Sequence, residues 1–180
     1  MNGRVLIAEP FSTDPNFDRS VILITEHNEK GSIGYVLNQR TEYTVNTLVE
    51  GLDKVNHNAY QGGPVELDSL HYLHTYPQIE GSIKIQDGVY WGGNFRAVCN
   101  GLMYGSMQQE NFRFFVGYSG WAAGQLQAEL DENAWMVGDL ETKYIFGQNI
   151  EDKELWKHAI REQGGTNSLL ANAPTDPFLN

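Results

Sequence analysis

Cysteine is almost absent: Cys99 is the one example in 180 residues, which excludes an internal disulfide and a cysteine metal cluster. No apolar run approaches the roughly 20 residues that a membrane-crossing helix requires. The opening Met1-Asn2-Gly3-Arg4 is not a basic segment leading into a long apolar one. A cytoplasmic protein with no membrane role is therefore expected. Cations are also scarce, with 12 Lys and Arg against 23 Asp and Glu and a formal charge of -11. Phosphate backbones are held chiefly by clustered cations, so direct nucleic-acid binding is disfavoured. From Glu129 to Glu154 only Lys143 and Lys153 offset the acids. That imbalance reads first as a solvated face and second as a dock for a basic partner.

Apolar residues, by contrast, make up 41% of the chain, enough for one core. A single domain over 1–165 with a C-terminal tail over 166–180 is expected. Its centre is Asn111-Phe112-Arg113-Phe114-Phe115-Val116-Gly117-Tyr118-Ser119-Gly120-Trp121. Alternation puts Phe112, Phe114, Val116 and Tyr118 on one face of a strand, with Arg113, Phe115, Gly117 and Ser119 on the other. The period then changes, and Ala122, Ala123, Leu126 and Leu130 form a helical stripe. Gly117 and Gly120 suggest close approach or unusual dihedrals where strand meets helix.

Elsewhere, strands are read at 4–9, 20–26, 32–37, 59–65 and 69–76, and a short apolar piece at 135–137. Asp87-Gly88 between 83–86 and 89–92 predicts a two-residue hairpin turn with both central residues at positive φ. Thr44, Asn94 and Asn149 are candidate caps for helices, and another short helix is read at 141–146. Seven or eight strands with four or five helices define a mixed-sheet α/β or α+β domain.

Chemical motifs are few. Gly117-Tyr118-Ser119-Gly120-Trp121 resembles a nucleophile elbow but has Trp121 at its last glycine position, so Ser119 is read as a helix-capping hydroxyl. His71 and His74 lie three apart on a strand and face opposite ways, which prevents a shared metal. Cys99 sits on an apolar stripe as a small buried hydrophobe. Asp14, Asn16, Asp18 and Arg19 are expected to satisfy their own loop, with Arg19 paired to an acid. No cofactor-binding motif is found.

Taken together, several blocks resemble the YqgE/AlgH family, also called UPF0301 or DUF179. They are Gly3-Arg4-Val5-Leu6-Ile7-Ala8-Glu9-Pro10, Asp14-Pro15-Asn16-Phe17-Asp18-Arg19-Ser20-Val21, Glu26-His27, Gly34-Tyr35-Val36-Leu37-Asn38, Gly62-Gly63-Pro64-Val65 and Gly117-Tyr118-Ser119-Gly120-Trp121 with Gly124-Gln125-Leu126 and Glu129-Leu130. The resemblance implies a single α/β domain whose mixed, bifurcated sheet curls into a pseudo-barrel flanked by helices. It implies no enzymatic activity, cofactor or DNA contact, although one branch is named as a transcriptional regulator of alginate production. Many relatives have alanine where this chain has Ser119.

The expected function is a non-enzymatic binding or regulatory protein acting through a small molecule or another protein. Its candidate ligand-binding residues are Asp14, Asn16, Arg19, His27, Asn38, Gly62, Gly63, Tyr118, Trp121, Gln125 and Glu129, around a groove with Tyr118 and Trp121. The alternative is a hydrolase or transferase using His27 as base with Glu26, Asp14 or Glu129 nearby. The sequence does not decide between a monomer and a homo-oligomer.

Overall fold

The computed structural model describes residues 1–10, 14–164 and 171–172, so most of the expected tail lies outside the described residues. The organising strand is β9, Phe112–Ala122. It begins with the alternation expected from the sequence, sending Phe112 and Phe114 to one core cluster and Phe115 to another. At Gly117 the chain turns through φ 67, and Tyr118 packs on the same side as Phe115. The strict two-residue period ends there because a left-handed residue swings the next side chain across the strand. Gly120 is ordinary extended backbone paired with Ile33.

Strands β1 (Val5–Ala8), β2 (Val21–Asn28) and β3 (Gly31–Val36) lie to one side of β9. On the other side are β6 (Val65–His74), β8 (Val89–Trp91) and β7 (Ile83–Gln86). With β10 (Trp135–Gly138) at the far end, the order is β10-β1-β2-β3-β9-β6-β8-β7. A branch made of β4 (Arg40–Thr44) and β5 (Asn58–Gln61) joins β9 through the parallel β5 pairing. The sheet is therefore mixed and bifurcated, as expected, but it is not closed into a barrel; β10 and β7 remain its two ends.

The fork is a short set of hydrogen bonds around Gly62. Its N–H donates to Val116 O at 2.9 Å, and its carbonyl accepts from Val36 N at 2.9 Å and from Ser119 Oγ at 3.0 Å. A Cβ on Gly62 would sit 2.4 Å from Gly117 O, so only glycine fits. Ser119 is thus a buried strand residue that closes the fork. The expectation that it caps a helix is corrected, because β9 runs on to Ala122 and α3 (Gln125–Asp131) begins after a left-handed Gly124.

The curl creates an inner core and two outer ones. Val5, Leu23, Tyr35, Leu73, Val89 and Phe115 meet inside, with Leu155, Trp156, Ala159 and Ile160 of α5 (Asp152–Glu162). Helix α5 is anchored by Trp156 Nε1 donating to Ala8 O at 2.8 Å. Burying each of its four inner side chains contributes on the order of 1.5–3 kcal/mol for the larger ones, before entropy is counted. Outside one half, α1 (Val45–Leu48) and α2 (Phe95–Tyr104) bring Val45, Val98 and Leu102 into a cluster with Tyr72, Phe112 and Phe114. Outside the other half, α3 covers Ile22, Val36 and Trp121.

Local expectations fare unevenly. Asn94 Oδ1 accepts from Ala97 N at 3.1 Å, the cap expected for α2. Asn149 is instead a left-handed residue at φ 60, and Glu151 is the N-cap of α5. Asparagine tolerates that region better than most residues, which explains its use in the turn. At the hairpin only Gly88 has positive φ, and a register shift between Lys84 and Gln86 absorbs the twist that two left-handed residues were expected to supply. Cys99 is half-buried rather than fully enclosed. Short α4, Thr142–Ile145, falls within the expected 141–146.

Candidate functional site

The residues chosen from sequence do not form one site. Asn38 is a clamp: its Nδ2 donates to Arg19 O at 2.9 Å and its Oδ1 accepts from Val21 N at 3.0 Å, tying the loop to β2. Asp14 Oδ1 accepts from Asn16 N and Nδ2, the local side-chain turn expected there. Arg19 lays its guanidinium 4.6 Å from the centre of the Trp156 ring. Gly62 and Gly63 belong to the fork. His27 Nδ1 is bonded to Ser32 Oγ at 2.8 Å, and among the described residues no carboxylate forms an ion pair with it.

Asp14, Trp121, Gln125 and Glu129 do converge, with Phe17 and Trp135, around a cavity of about 280 Å³. Glu129 Oε2 accepts from both Trp121 Nε1 and Trp135 Nε1 at 2.8 Å, while Oε1 accepts from Gln125 Nε2 at 2.9 Å. The Phe17 ring lies 6.5 Å from Trp121 and 5.5 Å from Trp135. One carboxylate thus joins α3 to β9 and to β10. Three of its roughly four acceptor directions are already used, so this knot reads as structural.

Tyr118 leaves that group. The left-handed turn at Gly117, opposite the irregularity between Val65 and Leu70 of β6, points it into a second cavity, about 320 Å³, at one end of the inner core. Six strands supply its walls: Thr25 and Glu26 from β2, Ile33 and Tyr35 from β3, His71 from β6, Ile83 and Ile85 from β7, Trp91 from β8 and Tyr118 from β9. Asn2 completes the mouth. The curl of the sheet brings these distant strands together, since a Cβ on neighbouring Gly3 would lie 2.9 Å from Ile85 O.

His71 is at the centre of the aromatic wall. Its ring centroid is 5.3 Å from that of Tyr35, 5.8 Å from Tyr118 and 6.3 Å from Trp91. Burial lowers the His71 pKa from its ordinary value, against a smaller opposing effect of Glu66, so the imidazole is neutral near pH 7. Burial likewise pushes the Tyr35 phenol well above its usual range, and Trp91 Nε1 donates to its oxygen at 3.0 Å. Among the lining residues only Glu26, at the mouth, carries a full charge. Of the candidate ligand-binding residues only Tyr118 lies here, joined by Glu26 from the alternative His27 site; His71 was weighed only as a metal ligand, and Tyr35 and Trp91 were not proposed as site residues. The available signal was a large ring at the end of each inward-facing strand pattern, which local periodicity does not connect.

At the opposite end of the inner core stands Arg113, 2% exposed. It donates to Ile145 O at 2.6 Å, to Leu37 O, and to Asp152 Oδ1 at 3.3 Å, over the Tyr60 ring at 3.9 Å. Asp152 also accepts from Arg40 Nε at 2.7 Å and Tyr60 Oη at 3.0 Å. This arrangement ties β9 to the residue after β3, to α4 and to α5. Strand β9 therefore supplies a clamp at one end of the core and a cavity wall at the other.

The fold and site define a class of protein with an open, curled α+β sheet and an aromatic cavity in its lumen. The DUF179 family model, described as AlgH-like, matches residues 5–168, and the chain belongs to that family. It is 38% identical to a UPF0301 protein of Cytophaga hutchinsonii over 99% of this chain and 98% of that one. It is 37% identical to a UPF0301 protein of Chlorobaculum tepidum over 99% and 95%. Among solved structures, a Corynebacterium diphtheriae protein is similar with a TM-score of 0.79 at 25% identity, covering 94% of this chain and 90% of that one. The AlgH protein from Pseudomonas aeruginosa is similar with a TM-score of 0.73 at 28% identity, covering 96% and 94%.

Proposed function

We propose that this chain is a non-enzymatic binding protein of the bacterial cytoplasm that captures a small molecule in the cavity formed by Tyr35, His71, Trp91 and Tyr118. The observation that carries this reading is the cavity itself, which is concave, largely apolar and furnished with a few polar groups at fixed positions. The groups that could have argued for catalysis are already occupied: Ser119 donates to Gly62 O, and His27 is bonded to Ser32. Regulation of transcription, suggested by the name attached to one branch of the family, would be indirect, through a protein partner that senses the loaded state. The charge of -11 supports that indirect route.

A thermal-shift screen of small aromatic compounds tests the proposal. A ligand at 100 times its Kd stabilises the fold by about 2.7 kcal/mol, which for a chain of this size raises Tm by roughly 5–11 °C. The hits should lose their effect in Tyr118→Arg, whose side chain would fill the cavity. Hits that stabilise Tyr118→Arg equally would place binding elsewhere and defeat the reading.

A further inference from the structure

The hydrogen-bond pattern around His71 fixes which of its nitrogens carries the proton. Ser69 Oγ donates its single hydrogen to Glu66 O at 2.6 Å and lies 2.8 Å from His71 Nε2. The hydroxyl has no second hydrogen, so Nε2–H must be the donor in that contact. In a neutral ring this leaves Nδ1 as a bare acceptor. No hydrogen-bond partner for Nδ1 is found among the described residues, and it is not one of the enclosed unpartnered atoms such as Arg113 Nε.

Tyr35 supplies the complementary group. Its oxygen accepts from Trp91 Nε1, while its own hydroxyl hydrogen has no acceptor among the described residues. An unsatisfied acceptor and an unsatisfied donor therefore stand on adjoining rings 5.3 Å apart, with Trp91 stacked at 24° to the His71 ring and Tyr118 set across it at 80°. Among the described residues no Lys or Arg lines the cavity, and Glu26 at its mouth repels anions.

Resting on the cavity reading above, we propose that the ligand is an uncharged planar heteroaromatic molecule carrying an N–H donor beside a carbonyl acceptor, with the N–H read by His71 Nδ1 and the carbonyl by the Tyr35 hydroxyl. Nucleobases and fused lactams have this edge. Their phosphorylated derivatives are excluded by the missing cation and by Glu26. Stacking against the aromatic walls provides affinity for any flat molecule, while the paired polar edge provides selection, because a ligand lacking it leaves buried polar groups unpaired.

Three probes of nearly equal size separate the parts: 2-quinolinone, its N-methyl derivative and naphthalene, titrated into the full chain and followed by tryptophan fluorescence. The expected result is that 2-quinolinone binds at least tenfold more tightly than either of the others. His71→Phe, checked for an unchanged far-ultraviolet spectrum, should reduce that preference to less than threefold while retaining naphthalene binding. Equal binding of all three probes by the unmodified protein would overturn the donor–acceptor assignment and leave the cavity reading standing. No binding of any probe at millimolar concentration would overturn both.

Discussion

Replacing Arg113 with methionine removes the clamp at the closed end of the inner core. The side chain is almost fully buried, and burial pushes its guanidinium below its ordinary pKa while Tyr60 and Asp152 act in the opposite direction. It remains charged because arginine does not release its proton under ordinary conditions. Methionine would leave the carbonyls of Ile145 and Leu37 without this donor, at roughly 1–3 kcal/mol each. Asp152 would not be orphaned, since Arg40 and Tyr60 still donate to it. Against the loss stands relief from burying a cation whose Nε has no partner among the described residues. Apolar replacement of buried ion pairs can return about 1–4 kcal/mol.

The balance predicts a net destabilisation of about 2 kcal/mol, or roughly 4–8 °C in Tm for a chain of this length. Urea denaturation followed by tryptophan fluorescence measures it, with an unchanged m-value expected. Arg113→Lys should also lose stability, because one ammonium cannot reproduce the planar fork that reaches Ile145, Leu37 and Asp152 together. If Arg113→Met proved as stable as the original protein or more so, the clamp would contribute nothing to folding stability, and the reasoning would fail.

Three further outcomes follow from the same geometry. Burial lowers the pKa values of His57, His71 and His74 from the ordinary 6.5, so the unfolded chain takes up protons first as the medium is acidified. Their contribution to stability is fully present above pH 6.5 and lost as pH falls towards the folded-state values; denaturant midpoints that rise on acidification from pH 7 to 5 would contradict this. Glu129→Ala strips the acceptor from two largely buried indole N–H groups, and a loss of about 2–4 kcal/mol in urea denaturation is expected. Gly62→Ala forces a Cβ against Gly117 O and should cost about 1–3 kcal/mol by the same assay, whereas a neutral result would show that the fork opens without strain.

What the sequence reveals follows the range of the interactions involved. The amphipathic stripe of α5, the Asn94 cap and the buried strands β1 and β2 depend on neighbours within a few residues, and local periodicity was enough to identify them. Strand β4 escaped because Arg40, Glu42 and Tyr43 are exposed and its residues lack an apolar alternation. The fork joins Gly62 to Val116 and Ser119, and the reason for its glycine becomes visible only when those strands meet. Arg113 read as the polar back of a strand, although it lies inside the curl. The cavity required six strands to come together. Tyr118 was selected from its motif, yet alternation put it on the face of Phe112 and Phe114, and only the positive φ at Gly117 sets it beside Phe115 and His71.

The four tryptophans allow one spectrum to test the central claim. Trp91 lines the cavity, Trp121 and Trp135 bind Glu129, and Trp156 anchors α5. In a proton–nitrogen correlation spectrum of the labelled protein, a ligand found by thermal shift should move the Trp91 indole resonance and leave the other three within their line widths. Displacement of the Trp121 and Trp135 signals with Trp91 unmoved would contradict the account and assign binding to the opposite side of β9.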